Sequence, residues 1–387
     1  MKKVLVFTST RAEYGLLKGV IHEIAQSNKL QLQLLVSGTH LSADFGMTIN
    51  EIKDNGFQAD EAIEMIVSHD TPTGICKSMG LAMIGYGEAL IRRSPDILVI
   101  LGDRYEAFCA AAAAQICRVP VAHIHGGEAT EGLIDEAFRH AITKMSLLHF
   151  ASCEAYRQRI IQLGEAPERV FNVGALGVEN IRRTPLMTRG ELAEAMGCSF
   201  EKPYFLVTFH PVTLEQSTAD GQFQALLEAL DAFPEHNLIF TKTNADTDGR
   251  VINRLIDDYA GRHPKRCLAV TSLGMRLYLS VMKFASAVIG NSSSGILEAP
   301  SFKVPTVNIG DRQKGRIQAA STLNCAPDAS AIRQTIGRAL SPDFQESLAG
   351  ISNLYDRPGT CSTIVRLLEK MDITGSTKKS FHDVRFS

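Results

Sequence analysis

The feature of this 387-residue sequence that most limits its fold is the regular alternation of short apolar runs with longer amphipathic stretches. The apolar runs have the length of buried strands, and the stretches between them have the 3.6-residue period of helices. Strands that alternate with helices and are apolar on both faces predict a parallel sheet covered on both sides. The predicted strands of the first series are residues 3–8, 30–37, 97–101, 120–124 and 149–152.

The same alternation begins again in the second half, with predicted strands at 204–209, 237–241, 267–271, 285–290 and 304–309. A chain of this length exceeds one ordinary hydrophobic core. We therefore predict an α/β protein of two Rossmann-like, doubly wound parallel-sheet domains that face a cleft. The domains are residues 1–180 and 181–372. The helical stretch 360–371 either closes the second domain or joins the first, and residues 373–387 form a tail that we expect to be frayed.

Composition and charge argue against several classes of protein. Apolar residues make up 45% and charged residues 21% of the chain, as in ordinary globular proteins. The net charge of -2, without a basic run, gives no reason to expect nucleic acid or membrane as a partner. The eight cysteines contain no Cys-x-x-Cys pair, so we expect neither a structural metal nor disulfides. The apolar N-terminus is typical of a first strand rather than a signal peptide, which predicts a cytoplasmic protein.

The loop after the first predicted strand is a candidate anion site. Thr10 and Arg11 stand where a helix begins, and the free N–H groups and dipole of a helix start favour negative charge. Thr10 is equally consistent with plain N-capping beside a solvated Arg11. The loop lacks a Gly-x-Gly-x-x-Gly pattern, so the sequence does not support dinucleotide binding.

Acidic residues gather at the same edge of the first predicted sheet. Asp103 and Arg104 follow one strand, Glu128 follows paired glycines after the next, and Asp135 lies in the following helix. Carboxylates brought together raise one another's proton affinity, which suits acid–base chemistry. The structural alternatives are that Asp103 is an N-cap and that Asp135 forms a surface ion pair with Arg139, four residues later.

The second half carries a candidate phosphate site. The sequence Asn-Ser-Ser-Ser-Gly at 291–295 follows a strand and leads into a helix that bears Glu298. Backbone N–H groups and serine hydroxyls suit a phosphate, and Glu298 is spaced to reach a ribose, although serine capping is the structural alternative. Arg312 either pairs with phosphate oxygens or is solvated. His210, at the end of a strand, is either structural or faces the carboxylates.

With these residues assembled, the chain resembles the UDP-N-acetylglucosamine 2-epimerase family, and within it the hydrolysing branch that feeds sialic acid synthesis. Non-hydrolysing members carry proline after the arginine of the first loop, where this chain has Ala12. The motifs that carry the resemblance, in chain order, are residues 10–13, 102–104, 126–128, 135–144, 210–211, 244–246, 290–295 and 312–313.

The resemblance implies a glycosyltransferase-B-like arrangement in which the second domain holds most of the UDP. It implies a UDP-sugar as the small-molecule partner, no cofactor, no required metal, and a homodimer or homotetramer. The catalytic groups that it implies are Asp103, Glu128, Asp135 and His210, with Glu131 or Glu136 as alternatives to Asp135. The residues that it implies around the UDP-sugar are Arg11, Arg104, Asn244, Ser292, Ser293, Gly295, Glu298 and Arg312.

From this resemblance we expect an enzyme that converts UDP-N-acetylglucosamine and water to N-acetylmannosamine and UDP. The reaction would proceed by elimination to 2-acetamidoglucal and then hydration. Three alternatives remain open. They are a hydrolysing 2-epimerase of UDP-2,4-diacetamido-2,4,6-trideoxyglucose on a route to legionaminic-type acids, a glycosyltransferase on the same fold, and a non-catalytic UDP-sugar sensor.

Overall fold

Two parallel-sheet α/β units make up the chain, which confirms the predicted fold class. The computed structural model describes residues 1–67, 71–197, 201–212, 218–243, 249–271, 273–373 and 378–384. The first unit comprises Met1–Glu128, Asp135–Glu179 and Arg357–Ser387. The second unit comprises Ala129–Ile134 and Asn180–Asp356.

Seven parallel strands form the sheet of the first unit, in the order β3-β2-β1-β4-β5-β6-β7. Their bounds are β1 (Lys2–Thr8), β2 (Leu30–Ser37), β3 (Glu61–Ile63), β4 (Ile97–Leu101), β5 (Val121–Ile124), β6 (Leu148–Ala151) and β7 (Val170–Asn172). The helices between them are α1 (Arg11–Gln26), α2 (Ile49–Asp54), α3 (Pro72–Arg93), α4 (Tyr105–Ile116), α5 (Asp135–Met145) and α6 (Glu154–Gln162).

The first sheet is covered on both faces. Val4 and Val6 of β1 pack in one core with apolar residues of α1, whereas Leu5 and Phe7 pack in another with residues of α3 and α4. This alternation follows from the two-residue period of a strand. Helix α7 (Leu176–Arg183) spans the division between the units.

Six parallel strands form the sheet of the second unit, in the order β10-β9-β8-β11-β12-β13. Their bounds are β8 (Tyr204–Thr208), β9 (Asn237–Thr241), β10 (Cys267–Val270), β11 (Ala287–Gly290), β12 (Thr306–Ile309) and β13 (Thr322–Cys325). The helices are α8 (Arg189–Met196), α9 (Ala219–Asp231), α10 (Gly249–Arg262), α11 (Gly274–Phe284), α12 (Ser293–Leu297), α13 (Ala329–Ala339) and α14 (Pro342–Ser347).

The last helix, α15 (Thr360–Lys370), lies in the first unit. Its apolar residues Ile364 and Leu368 belong to the same core as Ile21 and Ile24 of α1. Lys2 Nζ at the start of β1 donates to the Leu368 carbonyl over 2.6 Å. The helix whose domain the sequence left open therefore packs against the first sheet's helix layer. None of the helices in the described ranges is long and apolar enough to cross a bilayer.

The C-terminal tail differs from the frayed segment expected from sequence, because residues 378–384 are held by the first unit. Lys379 Nζ donates to Glu165 Oε2 over 2.6 Å and to the Ser146 carbonyl over 2.7 Å. Glu165 is buried and also accepts from Lys144 over 2.5 Å and contacts His149 Nε2 at 3.1 Å. The described part of the tail is thus held by a buried carboxylate that lies more than 200 residues earlier in the chain, a contact that no local pattern reveals.

We predict that Glu165→Gln lowers the free energy of unfolding by about 1–3 kcal/mol at pH 7. Although burial opposes ionisation, hydrogen bonds from His149, Lys144 and Lys379 lower the pKa of Glu165 to about 2. A depressed carboxyl pKa stabilises the fold above its unfolded value, near 4.5, and this contribution is lost as pH falls toward the folded value. Urea unfolding should therefore show a difference between variant and wild type that shrinks from about pH 5 to pH 3.

The matched control is Glu168→Gln, which neutralises an exposed carboxylate three residues away and should change the unfolding free energy by less than about 0.5 kcal/mol. A loss for Glu165→Gln that is equally large at pH 3 and pH 7 would contradict the role given to its charge.

Candidate active site

The predicted site residues of the first unit flank the switch point of its sheet. Strand β1 lies between β2 and β4, and the helices that follow β1 and β4 lie on opposite faces. In open parallel sheets, ligands bind outside the carboxyl ends of the strands at such a point. Arg11 begins α1 after β1, and Asp103 and Arg104 follow β4. Their side chains are exposed or half-buried.

The loop that carries Arg11 is fixed by a capping box. The Thr10 side chain accepts from Glu13 N over 3.3 Å, and Glu13 Oε2 accepts from Ser9 N over 2.7 Å and from Ser9 Oγ over 2.8 Å. Burial, with a further contribution from Glu106, raises the pKa of Glu13 to about 7. Thr10 therefore caps α1, as the structural alternative predicted. Arg11 is exposed at the start of the helix.

Arg139 of α5 connects three of the acidic segments. Its guanidinium donates to the carboxylates of Asp103 and Glu136, and Nη1 also donates to the main-chain carbonyl of Glu128 over 3.1 Å. Only 1% of Arg139 is exposed. Although burial opposes the charge, the carboxylates of Asp103, Glu128 and Glu136 raise the pKa of Arg139 above its ordinary value.

One alternative raised by the sequence was that Asp135 forms a surface ion pair with Arg139. The burial of Arg139 shows that this alternative is wrong. Asp135 is the first residue of α5 and is half-buried beside Glu136. Glu131, the other alternative to Asp135, is exposed in the second unit, 3.8 Å from Lys314 Nζ. Of the three candidate acids, Asp135 and Glu136 therefore share a unit with Asp103.

Glu128 is almost completely buried, with 4% of its surface exposed. Its Oε1 accepts from Ser152 Oγ over 2.8 Å and lies 3.7 Å from His125 Nδ1. The Leu176 main-chain N–H points at His125 Nε2 over 3.3 Å, which requires that nitrogen to accept and leaves the ring proton on Nδ1, toward Glu128. His125 also has a left-handed backbone (φ 64°), a conformation that clusters at functional sites.

His123, two residues earlier and within β5, has a structural role. Its Nε2 donates to the Gly102 carbonyl over 2.7 Å, and its Nδ1 lies 3.2 Å from Thr143 Oγ1. Burial lowers the pKa of His123 to about 3, so the ring is neutral near pH 7. The contact fixes the turn that presents Asp103.

The second unit has its own switch point, between β8 and β11, and predicted residues again lie beside it. His210 follows β8, and Asn291 follows β11. The buried Asn291 side chain accepts from the His210 main-chain N–H over 2.7 Å and donates to the His210 carbonyl over 2.8 Å. The Asn291 carbonyl accepts from Arg312 Nη1 over 3.1 Å and from Gln313 Nε2 over 2.9 Å. Asn291 therefore joins the loops that carry His210 and Arg312.

The serine run opens the short helix α12. Ser292 is its N-cap, with Oγ 3.0 Å from Ser294 Oγ, and Tyr278 OH lies 2.6 Å from the same Ser294 oxygen. Ser292 and Ser293 are half-buried, and Glu298 is buried where the helix ends. Asn244 lies outside the described residues.

Gly295 has a packing reason to be glycine. A Cβ at this position would lie 2.6 Å from Thr306 Cγ2, and the Gly295 carbonyl accepts from Thr306 Oγ1 over 2.6 Å. Close packing of α12 on β12 therefore accounts for the residue without a ligand.

The segment Ala129–Ile134, which follows Glu128 in the chain, packs against the Arg312 loop within the second unit. Glu131 N donates to the Lys314 carbonyl over 3.0 Å. A Cβ at Gly132 would lie 3.0 Å from the Asp311 carbonyl oxygen, so the two backbones approach closely.

Sequence reasoning did not single out Ser152, His125 or the burial of Arg139, and it included Asn291 and Gln313 in motifs without giving either a role of its own. Ser152 and Asn291 each stand directly after a strand, at the same edge as the predicted residues. Treating every polar residue directly after a strand as a candidate would have identified both Ser152 and Asn291.

Comparisons with known proteins agree on one family for this chain. A family model described as UDP-N-acetylglucosamine 2-epimerase matches residues 22–369. A Campylobacter jejuni protein named GDP/UDP-N,N'-diacetylbacillosamine 2-epimerase (hydrolyzing) is 39% identical, with 89% of each chain covered. The Escherichia coli polysialic acid biosynthesis protein P7 is 38% identical over 99% of this chain and 97% of its own.

Solved structures agree on the fold. The Neisseria meningitidis UDP-GlcNAc 2-epimerase bound to UDP-GlcNAc superposes with a TM-score of 0.80 at 18% identity. The match covers 96% of this chain and all of the other. This likeness extends over both units, so the same fold accounts for nearly the whole chain.

We predict that Arg139→Met lowers the free energy of unfolding by about 3–5 kcal/mol, because it leaves two carboxylates beside an apolar side chain. Adding Asp103→Asn to this variant should restore part of the loss, since one of the two charges is then removed. Denaturant unfolding of the two single variants and the double variant measures this coupling.

Arg159→Met is the matched control, because Arg159 Nη1 donates to the Gly127 carbonyl over 2.7 Å from a half-buried position. We expect it to cost about 1 kcal/mol. Equal losses of unfolding free energy for Arg139→Met and Arg159→Met would contradict the proposed role of the charges around Arg139. So would a double variant that regains no stability over Arg139→Met.

Proposed function

Since the chain belongs to the UDP-N-acetylglucosamine 2-epimerase family, we propose that it converts UDP-N-acetylglucosamine and water into N-acetylmannosamine and UDP. The observation that carries this proposal is the set of acidic groups around Arg139 at the carboxyl edge of the first sheet. A buried guanidinium that binds Asp103, Glu136 and the Glu128 carbonyl provides acid–base groups in fixed positions.

The second unit supplies groups suited to the nucleotide. Ser292 and Ser293 open α12, Arg312 is tied to the Asn291 carbonyl, and Glu298 is spaced to reach a ribose. Hydroxyls, helix-start N–H groups and a guanidinium are the partners that phosphate oxygens prefer. The Neisseria structure, which holds UDP-GlcNAc, supports a UDP-sugar as the ligand. The proposal assigns UDP binding to these groups and the chemistry at the sugar to the carboxylates of the first unit.

The hydrogen at carbon 2 is not acidic, so its removal must be coupled to loss of a good leaving group. In the first step a carboxylate, one of Asp103, Glu128 or Asp135, takes the carbon 2 proton while the bond from carbon 1 to the UDP oxygen breaks. The products are 2-acetamidoglucal and UDP. Arg11, Arg104, Arg312 and the α12 start stabilise the charge that develops on the leaving phosphate.

In the second step water adds across the double bond. A protonated group delivers hydrogen to carbon 2 from the opposite face, and the water oxygen bonds to carbon 1 while its proton passes to a base. Two groups on opposite faces are required, and the proposal draws them from the carboxylates and His210. The free sugar then has inverted configuration at carbon 2.

A second substrate is favoured by one comparison. The Campylobacter relative is named for GDP/UDP-N,N'-diacetylbacillosamine, which supports a UDP-linked diacetamido sugar as the alternative. Turnover of the two UDP-sugars, measured at equal concentrations well below saturation, ranks them by kcat/KM. A higher kcat/KM for the diacetamido sugar would replace UDP-N-acetylglucosamine in the proposal.

The reaction type is tested in deuterated water with UDP-N-acetylglucosamine as the sole substrate. Elimination and hydration should release N-acetylmannosamine that carries one deuterium at carbon 2, detected by NMR and mass spectrometry. Release of sugar without deuterium would exclude this route. Failure to consume the UDP-sugar until an acceptor is added would instead favour a glycosyltransferase.

We predict that Glu128→Gln lowers kcat about 10²–10⁴-fold, because the amide can neither accept nor deliver the proton. The dissociation constant for UDP, measured by calorimetry, should change by less than about threefold, since the phosphate contacts that we propose lie in other residues. Glu154→Gln, on the exposed side of α6, is the matched control and should leave kcat unchanged. Near-normal turnover by Glu128→Gln would remove Glu128 from the mechanism.

A further inference from the structure

The turn that carries Glu128 is held in place by its main chain. The His125 N–H donates to the Phe150 carbonyl over 2.9 Å, which ties the turn to β6. The Gly127 carbonyl accepts from Arg159 Nη1 over 2.7 Å, which ties it to α6. Neither bond uses the Glu128 carboxylate, so the position of the turn and the orientation of its acidic side chain are set separately.

Gly127 brings this turn against the start of α6. Its φ is +76°, and a Cβ there would lie 2.5 Å from the Tyr156 carbonyl oxygen in the first turn of that helix. The two backbones therefore approach more closely than a side chain at Gly127 would permit. This packing sets Glu128 beside Ser152, which follows β6 directly.

The Ser152 hydroxyl fixes the direction of the Glu128 carboxylate. Ser152 is fully buried, Glu128 is almost so, and Ser152 Oγ donates to Glu128 Oε1 over 2.8 Å. His125 Nδ1 lies 3.7 Å from the same oxygen, which is too far for a hydrogen bond. A hydrogen bond to one carboxylate oxygen restricts rotation of the whole group, so it also fixes the direction of Oε2.

A hydroxyl donor suits a carboxyl group that gains and loses a proton. It can donate to an ionised carboxylate, and it can donate to the carbonyl oxygen of a protonated one when the other oxygen carries the proton. A cation in the place of Ser152 would instead favour the ionised form alone. Ser152 can therefore hold Glu128 in one orientation through both steps of a proton transfer.

We propose that Ser152 is a positioning residue for the epimerase reaction, which directs Glu128 Oε2 toward carbon 2 of the sugar. Oε2 then takes the carbon 2 proton in the elimination or delivers one in the hydration, and Ser152 keeps its own proton throughout. This role rests on the proposed function, because it assumes that Glu128 acts on that carbon.

Steady-state kinetics of Ser152→Ala tests the role. We expect kcat to fall about 10–100-fold, because the carboxylate remains but loses its orientation. The KM for the UDP-sugar and the dissociation constant for UDP should each change by less than about threefold. Ser152→Cys, which nearly keeps the side-chain volume but donates weakly, is a second variant and should also lose at least about tenfold in kcat.

Ser146→Ala is the matched control. Ser146 lies two residues before β6, at the opposite end of the strand from Ser152, and is equally buried. Its Oγ donates to the Ile142 carbonyl over 2.7 Å, so the substitution also removes one buried hydroxyl and one hydrogen bond. We expect its kcat to stay within about twofold of wild type, because this end of the strand is remote from the carboxyl edge.

A double-variant cycle separates positioning from a general loss of structure. If Ser152 acts only through the Glu128 carboxylate, Ser152→Ala should lower kcat by less than about threefold in a Glu128→Gln background. Equal losses in the two backgrounds would overturn the proposal, because they would show that Ser152 does not act through that carboxylate. An active wild type with a normal Ser152→Ala would overturn this role alone, whereas an inactive wild type would overturn the proposed function as well.

Discussion

A guanidinium is stable inside a protein only when carboxylates and carbonyls surround it, and Arg139 imposes this requirement on the first unit. Its partners come from three places in the chain: Asp103 after β4, the Glu128 carbonyl after β5, and Glu136 in α5. Because a single charge binds all three, the acidic loops at this edge of the sheet are fixed relative to one another. Groups that must act on one carbon atom need this kind of preorganisation.

The second unit joins its loops with an amide instead of a charge. Asn291 offers a donor and an acceptor from one side chain, so it binds both the N–H and the carbonyl of His210. These bonds involve the main chain of His210, so the imidazole takes no part in them. An uncharged connector suits a loop proposed to bind phosphate, since a carboxylate there would repel the ligand.

Sequence predicted every central strand and one edge strand, β10, but missed the other three edge strands. The predicted central strands are largely buried and β10 is half-buried, whereas the three missed strands, β3, β7 and β13, are only three or four residues long. Edge strands need no continuous apolar run, so they leave a weak pattern. The acidic edge was predictable because each residue follows a strand. The partner of Asp103 was not, because Arg139 lies 36 residues later and the local helix rule pointed to Asp135 instead.

Two glycines of the second unit are required by the chain's own packing. Gly290 has a φ of +133°, and a Cβ there would collide with the Thr208 carbonyl oxygen, so the β8–β11 switch point cannot form without it. Gly295 is fixed in the same way by Thr306. The constraint on both glycines is therefore internal to the second unit, where the backbone itself fixes the loops that carry the candidate site residues.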